Sequence, residues 1–138
     1  MTIVTDTGFA PDDWGHGFIT PDQIPANDTR PALAVDLTSD AEAHVLTDHL
    51  ATIDLIRIDF PSFADGRGFS IARQLRRMGF DGRLRAWGHV IADQFAMARR
   101  SGFDEVEIDD DLARRQPENQ WLARANWQAH DYQARLRA

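Results

Sequence analysis

A loop between a predicted strand and a predicted helix holds the residues best suited to bind an anion. Residues 65–68 read Asp-Gly-Arg-Gly, and Ser70 follows at the expected start of the helix. Free backbone N–H groups at a helix start favour a negatively charged ligand, and Arg67 adds a bidentate contact. We therefore predict that this loop binds a sulfate, sulfite, phosphate or carboxylate group. An alternative is that Asp65 and Arg67 pair with each other, or with Arg85, to fix a tight turn.

The same loop contains part of a dinucleotide-binding fingerprint. Gly66 and Gly68 match its first two glycines, but Ile71 stands where the third is needed. No carboxylate ends the next predicted strand, where such a residue would hold the ribose. The fragment therefore predicts neither a nicotinamide nor a flavin site, and the cofactor is left unassigned.

A second group of polar residues begins at His89. His89 and Asp93 are four residues apart at the start of a predicted helix, so they share a face and suit metal ligation or acid–base chemistry. Alternatively, His89 caps the helix while Asp93 and Gln94 bind the backbone of a neighbouring loop. No third ligand stands at a recognisable spacing, so no metal site is predicted. Catalytic residues are not assigned.

The composition excludes several kinds of chemistry. The chain has no cysteine, which excludes disulfides, thiolate nucleophiles and cysteine-ligated metal clusters within it. All 15 basic residues are arginine, which excludes Schiff-base lysines and the phosphate-binding lysine of a P-loop.

The charge is distributed unevenly along the chain. The net charge is −7, yet the span from Arg67 to Arg100 holds eight arginines and only two acids. A focused anion site fits this pattern better than a nucleic-acid surface, because the overall charge would repel nucleic acid. Without a signal peptide or an apolar run of about 20 residues, we expect no membrane partner and a cytoplasmic location.

The hydrophobic pattern predicts a single α/β domain over residues 33–138, preceded by an irregular arm over residues 1–32. Strands are predicted at 33–37, 55–60, 83–87 and 105–108, the last at a sheet edge. Helices are predicted from 39 or 40 to 53, from Ser70 to 78, from 90 to 101, and from Pro117 onward. In the final helix, one face is predicted to comprise Trp121, Ala125, Ala129, Tyr132 and Leu136, with Trp127 opposite, covered by the arm or exposed to a partner.

Two arrangements fit this alternation of about four mostly parallel strands with helices. One is a flavodoxin-like layered sheet, and the other is a partial βα barrel. Residues 76–81 recur in modified form at 99–104, which indicates an internal repeat of one βα unit. Ligands of such folds bind beyond the carboxyl ends of the strands, which places residues 59–70 and 87–94 on one rim.

Three segments carry a resemblance to a bacterial family of unknown function. They are Phe60-Pro61 with Asp65-Gly66-Arg67-Gly68-Phe69-Ser70, Leu84-Arg85-Ala86 with Asp93-Gln94, and Gly102-Phe103-Asp104. The family comprises small proteins encoded beside assimilatory sulfite reductase and the reductase of activated sulfate, and its members are sometimes described as oxidoreductases. The resemblance covers about residues 33–133. Members of the family often carry cysteine at the position of Ser101 and aspartate at that of His89.

The resemblance implies an accessory protein of assimilatory sulfate or sulfite reduction, which binds a small oxyanion or a reductase partner. Sulfite reductase, or a related sulfur-assimilation reductase, is the expected partner. An oxidoreductase with an unrecognised or partner-held cofactor is the alternative, and a structural module whose arginines dock an acidic surface is a third. The predicted ligand-binding residues are Asp65, Gly66, Arg67, Gly68, Ser70, Arg85, His89, Asp93 and Gln94.

Overall fold

The computed structural model describes residues 1–24 and 32–127 and is built on a six-stranded sheet. The strands are β1 (Thr2–Thr5), β2 (Gly8–Pro11), β3 (Ala34–Leu37), β4 (Leu55–Phe60), β5 (Arg83–Gly88) and β6 (Glu105–Ile108). They lie in the order β2-β1-β6-β5-β4-β3, with β3 to β6 parallel and β1 antiparallel to both neighbours. The mixed α/β class and the four parallel strands are confirmed, although the sheet has more strands than the four predicted.

Short helices connect and flank the parallel strands. The α-helices are α1 (Arg67–Arg77), α2 (Phe95–Ser101), α3 (Asp110–Arg115) and α4 (Glu118–Leu122). Single 3₁₀ turns lie at Pro21–Gln23, Ala43–Leu46 and Ala92–Gln94. No helix within the two described ranges is long and apolar enough to cross a bilayer.

The two faces of the sheet have different chemistry. Alternate residues such as Ile56, Ile58 and Leu84 join the main hydrophobic core with the helices. The intervening residues, including Arg57 and Arg85, lie on the opposite face because successive strand side chains point to opposite sides. Segment 12–18 covers this charged face, as shown by the Phe18 ring 3.7 Å from the Arg57 guanidinium carbon.

The N-terminal residues differ from the irregular arm predicted for residues 1–32. Strands β1 and β2 form a hairpin, and Ile3 pairs with Glu107 of β6. Strand β6 is therefore not a sheet edge, which corrects that prediction. Ile3 and Val4 are both buried in this register. The polar and apolar residues that alternate along β6 are also all buried, the polar ones on the charged face of the sheet and the apolar ones in the hydrophobic core.

The first predicted helix is also corrected. Residues 43–52 form a 3₁₀ turn followed by further turns, with bonds such as Val45 N–H to the Glu42 carbonyl. Thr47 and Thr52 each donate a hydroxyl hydrogen bond to the carbonyl three residues earlier, at 2.7 and 2.9 Å. Side-chain bonds of this kind compete with α-helical hydrogen bonding.

Helix α1 begins earlier than predicted. Gly66 is the N-cap, so the predicted cap, Ser70, is the fourth residue of the helix. The Asp65 carboxylate accepts the N–H of the first helical residue, Arg67, at 3.1 Å. The third predicted helix is a 3₁₀ turn followed by α2, which starts at Phe95.

The internal repeat is visible at the ends of α1 and α2. Gly79 and Gly102 have φ values of 101° and 115°, and the next residue, Phe80 or Phe103, donates its N–H back five residues. These bonds form the same left-handed helix ending twice. The side chains of Arg76 and Arg99 each donate to the carbonyl of the phenylalanine that follows.

The C-terminal helices are confirmed in part. Asp109 caps α3 by accepting the Leu112 N–H at 2.7 Å. Trp121 of α4 is fully buried, and the helix ends at Leu122. The Trp127 ring lies 4.9 Å from the Arg99 guanidinium carbon. The predicted face positions Ala129, Tyr132 and Leu136 lie outside the described residues.

Candidate functional site

The carboxyl ends of β4 and β5 bring the two predicted segments onto one rim. Phe60 pairs with Gly88, and the His89 N–H donates to the Phe60 carbonyl at 2.9 Å. Gln94 Nε2 donates to the carbonyl of Phe63 at 3.1 Å, which ties the second segment to the first loop. Gln94 therefore binds neighbouring loop backbone, as the alternative interpretation of this residue expected.

Arg67 is held in a fixed orientation at the start of α1. Its Nε and Nη2 donate to the two Asp65 carboxylate oxygens at 3.0 and 2.8 Å, and Nη2 also donates to Ser39 Oγ at 2.9 Å. These bonds hold the pKa of Asp65 well below its usual range, chiefly through the Arg67 side chain. The Arg67 side chain stays 61% exposed, and its Nη1 has no hydrogen-bond or ion-pair partner within the described ranges, so it retains donors for a ligand.

An open groove of about 710 Å³ begins at this arginine. It runs between the turn of residues 39–44 and the outer face of α1. Its hydrogen-bonding and cationic side chains include Ser39, His44, Arg67, Ser70 and Arg77. The groove gives the predicted anion site space for a ligand larger than one oxyanion.

The two glycines of the loop have different roles. A Cβ on Gly68 would lie 2.5 Å from the Phe60 ring, so this position needs glycine for the helix to pack on β4. A Cβ on Gly66 would meet its nearest atom, in Phe69, at an ordinary 3.8 Å. Gly68 is therefore required by packing, whatever the loop binds.

His89 and Asp93 do not form a pair. Asp93 accepts a hydrogen bond from Arg124 at 2.7 Å, whereas the His89 ring packs edge-on against Phe63 with ring centres 5.0 Å apart. Within residues 1–24 and 32–127, no group of three or more histidines and acids is arranged to hold a metal ion.

Arg85 lies away from the rim, on the charged face of the sheet. It is fully buried and bonds Glu105 at 2.6 Å and Glu107 at 2.8 Å. Arg57 joins the same network by binding Asp36 and Glu107. The position of Arg85 therefore does not support its predicted role in the loop site, because Glu105 and Glu107 already bind its guanidinium.

Asp59 is a rim residue that sequence reasoning did not select. It is the next-to-last residue of β4, on the charged face and half-buried, and its carboxylate has no hydrogen bond or ion pair to any residue in the described ranges. Burial raises the pKa of Asp59, the charges of Asp36 and Asp65 add to this effect, and those of His89 and Arg57 oppose it. Its position at the end of a parallel strand was the available signal, but 22 acids share the sequence.

A smaller cavity of about 230 Å³ lies at the ends of β5 and β6, and Asp59 is not one of its lining residues. Its aromatic walls are Phe63, Trp87 and His89. Gly88 also lines it, and a Cβ on Gly88 would stand 3.5 Å from Asp59 Oδ1. The carboxylate is therefore adjacent to the cavity wall.

Comparison with known proteins identifies a family but no characterised relative. Residues 34–138 match the sequence model of a family described as "Bacterial protein of unknown function (DUF934)". No curated protein matches the chain.

Proposed function

Because the chain belongs to this bacterial family of unknown function, we propose that it is an accessory protein of assimilatory sulfate or sulfite reduction. In this proposal it binds a sulfur oxyanion, or an oxyanion-bearing reductase partner, through the loop of residues 65–70. Sulfite reductase is the proposed partner, and the cytoplasm is the proposed location.

The oriented guanidinium of Arg67 is the observation that carries the proposal. Asp65 and Ser39 fix two of its nitrogens, which lowers the entropy that a ligand contact must otherwise cost. The N–H groups of Arg67 and Phe69 in the first turn of α1 already donate to the Asp65 carboxylate and the Gly66 carbonyl, so the helix start contributes its dipole, which favours negative charge. Asp65 reduces the positive charge of this site, so we expect selective binding of a small dianion and not tight binding of every anion.

The strand order supports one of the two predicted arrangements. The four parallel strands follow each other in sequence as β3-β4-β5-β6, and α1 contacts both α2 and the turn at Ala43–Leu46. A flavodoxin-like sheet instead reverses its strand order at the ligand site. We therefore favour the partial βα barrel, in which the rim next to the loop is the site for ligands.

A thermal-shift series with sulfite, sulfate, phosphate and adenylyl sulfate tests the oxyanion proposal. A ligand at 100 times its dissociation constant adds about 2.7 kcal/mol to the free energy of unfolding. We expect one sulfur oxyanion to raise the unfolding temperature selectively, and Arg67→Ala to abolish the rise. The matched control is Arg100→Ala, which removes an exposed arginine that does not line the groove.

Two outcomes separate the forms of the proposal. Stabilisation that persists in Arg67→Ala would remove the loop as the oxyanion site. No shift with any anion would leave reductase docking, to be measured as retention of purified sulfite reductase by the immobilised protein. Docking should then weaken in Arg67→Ala and not in Arg100→Ala.

The alternative is an oxidoreductase of sulfur assimilation with a partner-held cofactor. Asp59 favours it, because reduction of a sulfur oxyanion consumes protons and a carboxyl group with a raised pKa is suited to deliver them. A cofactor absorption band in the purified protein or in its complex with the reductase would support this alternative.

A further inference from the structure

The cavity beside Asp59 has walls suited to an organic cation. The Phe63 and His89 rings meet edge to face, and Trp87 completes the aromatic lining. The Trp87 ring already stacks on a cation elsewhere, since the Arg57 guanidinium carbon lies 4.5 Å from its centre. Aromatic faces attract cations through the negative charge density above the ring.

The polar groups of this site are hydrogen-bond acceptors. His89 Nδ1 lies 3.2 Å from the Phe60 carbonyl oxygen. Because a carbonyl oxygen only accepts, Nδ1 carries the hydrogen in this contact, and Nε2 is then an acceptor whenever the ring is neutral. Nε2 has no hydrogen-bond partner within the described ranges. The Asp59 carboxylate is a second acceptor without such a partner, so a matching ligand must donate hydrogen bonds.

The charges around the cavity also favour a cation. Asp109 lines it, and its two lining cations, the Arg115 guanidinium and the Met1 ammonium, are compensated by Asp111 at 3.1 Å and Asp110 at 3.4 Å. Asp59 adds a further negative charge beside Gly88. The whole chain carries a net charge of −7, which raises the local concentration of cations.

We propose that this cavity is a binding site for a small organic ammonium ion. The apolar part of the ligand lies against Phe63 and Trp87, and its ammonium group donates to Asp59 and to His89 Nε2. This site is separate from the oxyanion loop at the start of α1. It uses different residues and takes a ligand of opposite charge.

Titration of the protein with three ligands of similar size tests the proposal. The probes are benzylamine as its ammonium ion, neutral benzyl alcohol and anionic benzoate, followed by two-dimensional NMR at pH 7.5. We expect benzylammonium to shift the backbone amides of Gly88 and His89 and the indole N–H of Trp87 saturably. Benzyl alcohol should bind at least tenfold more weakly, and benzoate should give no saturable shift.

Two variants assign the site to particular side chains. Asp59→Asn preserves the shape of the side chain and removes its charge, so the affinity for benzylammonium should fall at least tenfold. Phe63→Leu keeps an apolar side chain and removes the aromatic face, so the affinity should fall several-fold. The charge-matched control is Asp48→Asn, an exposed residue in the segment that leads into the opposite end of β4.

Three results would overturn the proposal. The first is wild-type affinity for benzylammonium in Asp59→Asn, and the second is binding of benzoate as tight as that of benzylammonium. The third is a set of shifted signals that excludes Gly88, His89 and Trp87. If Asp59→Asn fails to fold, unchanged affinity in folded Phe63→Leu overturns the proposed aromatic contact.

Discussion

Asp59 and Asp65 stand six residues apart on the same rim, yet their surroundings act on them in opposite directions. Burial raises the pKa of Asp59, whereas hydrogen bonds from Arg67 lower the pKa of Asp65. The ionised carboxylates of these two aspartates therefore have opposite effects on the free energy of unfolding. The Asp65 carboxylate is stabilised as an anion by Arg67, whereas the Asp59 carboxylate has no hydrogen-bond or ion-pair partner in the described ranges.

Replacing each aspartate with asparagine should reveal this difference. At pH 7, Asp59→Asn should raise the unfolding temperature, because the folded protein no longer holds a half-buried, unpaired charge. The gain should shrink as the pH falls through the raised pKa of the folded state, and it should vanish well below the unfolded value of 3.8, where Asp59 is protonated in both states. Thermal unfolding followed by circular dichroism between pH 7 and pH 4 measures this dependence.

Asp65→Asn is the matched comparison and should change stability in the opposite direction. The low pKa of Asp65 stabilises the folded state above its unfolded value of 3.8, and this contribution is lost as the pH falls through the folded pKa. Its replacement should therefore lower the unfolding temperature at pH 7. Equal shifts of the same sign in both variants would contradict the assignment of their surroundings.

Single residues show where sequence reasoning reached the site and where it did not. The Asp65–Arg67 pair was predicted as an alternative because the two residues are adjacent in a glycine-containing loop. The burial of Arg85 was not predicted, because its carboxylate partners come from β6, about 20 residues later. The Asp59 carboxylate has no hydrogen-bond partner in the part of the chain that the structure describes, and the spacing of residues along the chain does not predict this.

Among the elements, strands with strong local patterns were predicted well. Residues 55–60 alternate Ile56 and Ile58 with charged residues before Pro61, and β4 has the predicted bounds. Residues 43–53 also carry helical spacing, but that spacing suits a series of 3₁₀ turns equally well when threonine hydroxyls compete for the carbonyls. The spacing of the apolar residues therefore predicts which side chains are buried, but it does not distinguish an α-helix from a series of 3₁₀ turns.

The repeated helix endings allow a matched test of backbone strain. Gly79→Ala should cost about 1–2 kcal/mol, because φ is 101° and no atom lies within 4 Å of the new Cβ. Gly102→Ala should cost more, since its φ is 115° and the new Cβ would stand 2.6 Å from Arg76 Cγ. Urea denaturation measures both values. A smaller loss of stability in Gly102→Ala than in Gly79→Ala would show that the Arg76 side chain moves aside easily.

At the scale of the whole molecule, the N-terminal hairpin protects the sheet. Strand β1 occupies the hydrogen-bonding edge of β6, all four residues of which are buried. The turn of the hairpin is attached to α2 by the bidentate pair of Asp6 with Arg99, at 2.9 and 3.0 Å. This arrangement was not predictable from local pattern, because the paired residues are about 100 positions apart.

Removal of residues 1–11 should cause the protein to self-associate through the newly exposed edge of β6. The deletion exposes the backbone N–H and C=O groups of β6 together with the apolar residues Val106 and Ile108. We expect concentration-dependent association in size-exclusion chromatography with light scattering. Asp6→Asn is the control, because it removes only the negative charge that pairs with Arg99, and this variant should elute as the unchanged protein does. A truncated chain that elutes with no more association than this control would contradict the protective role.

The pairing of Ile3 with Glu107 also sets an order of events during synthesis. Strand β1 can pair with β2 as soon as both are made, but its second partner, β6, lies about 100 residues later, whereas β3, β4 and β5 can pair in the order in which they are made. Contacts between distant parts of a chain form slowly because a long loop must close first. The hairpin of β1 and β2 therefore keeps one edge of β1 unpaired until β6 is made, and its placement beside β6 is the step that completes the sheet.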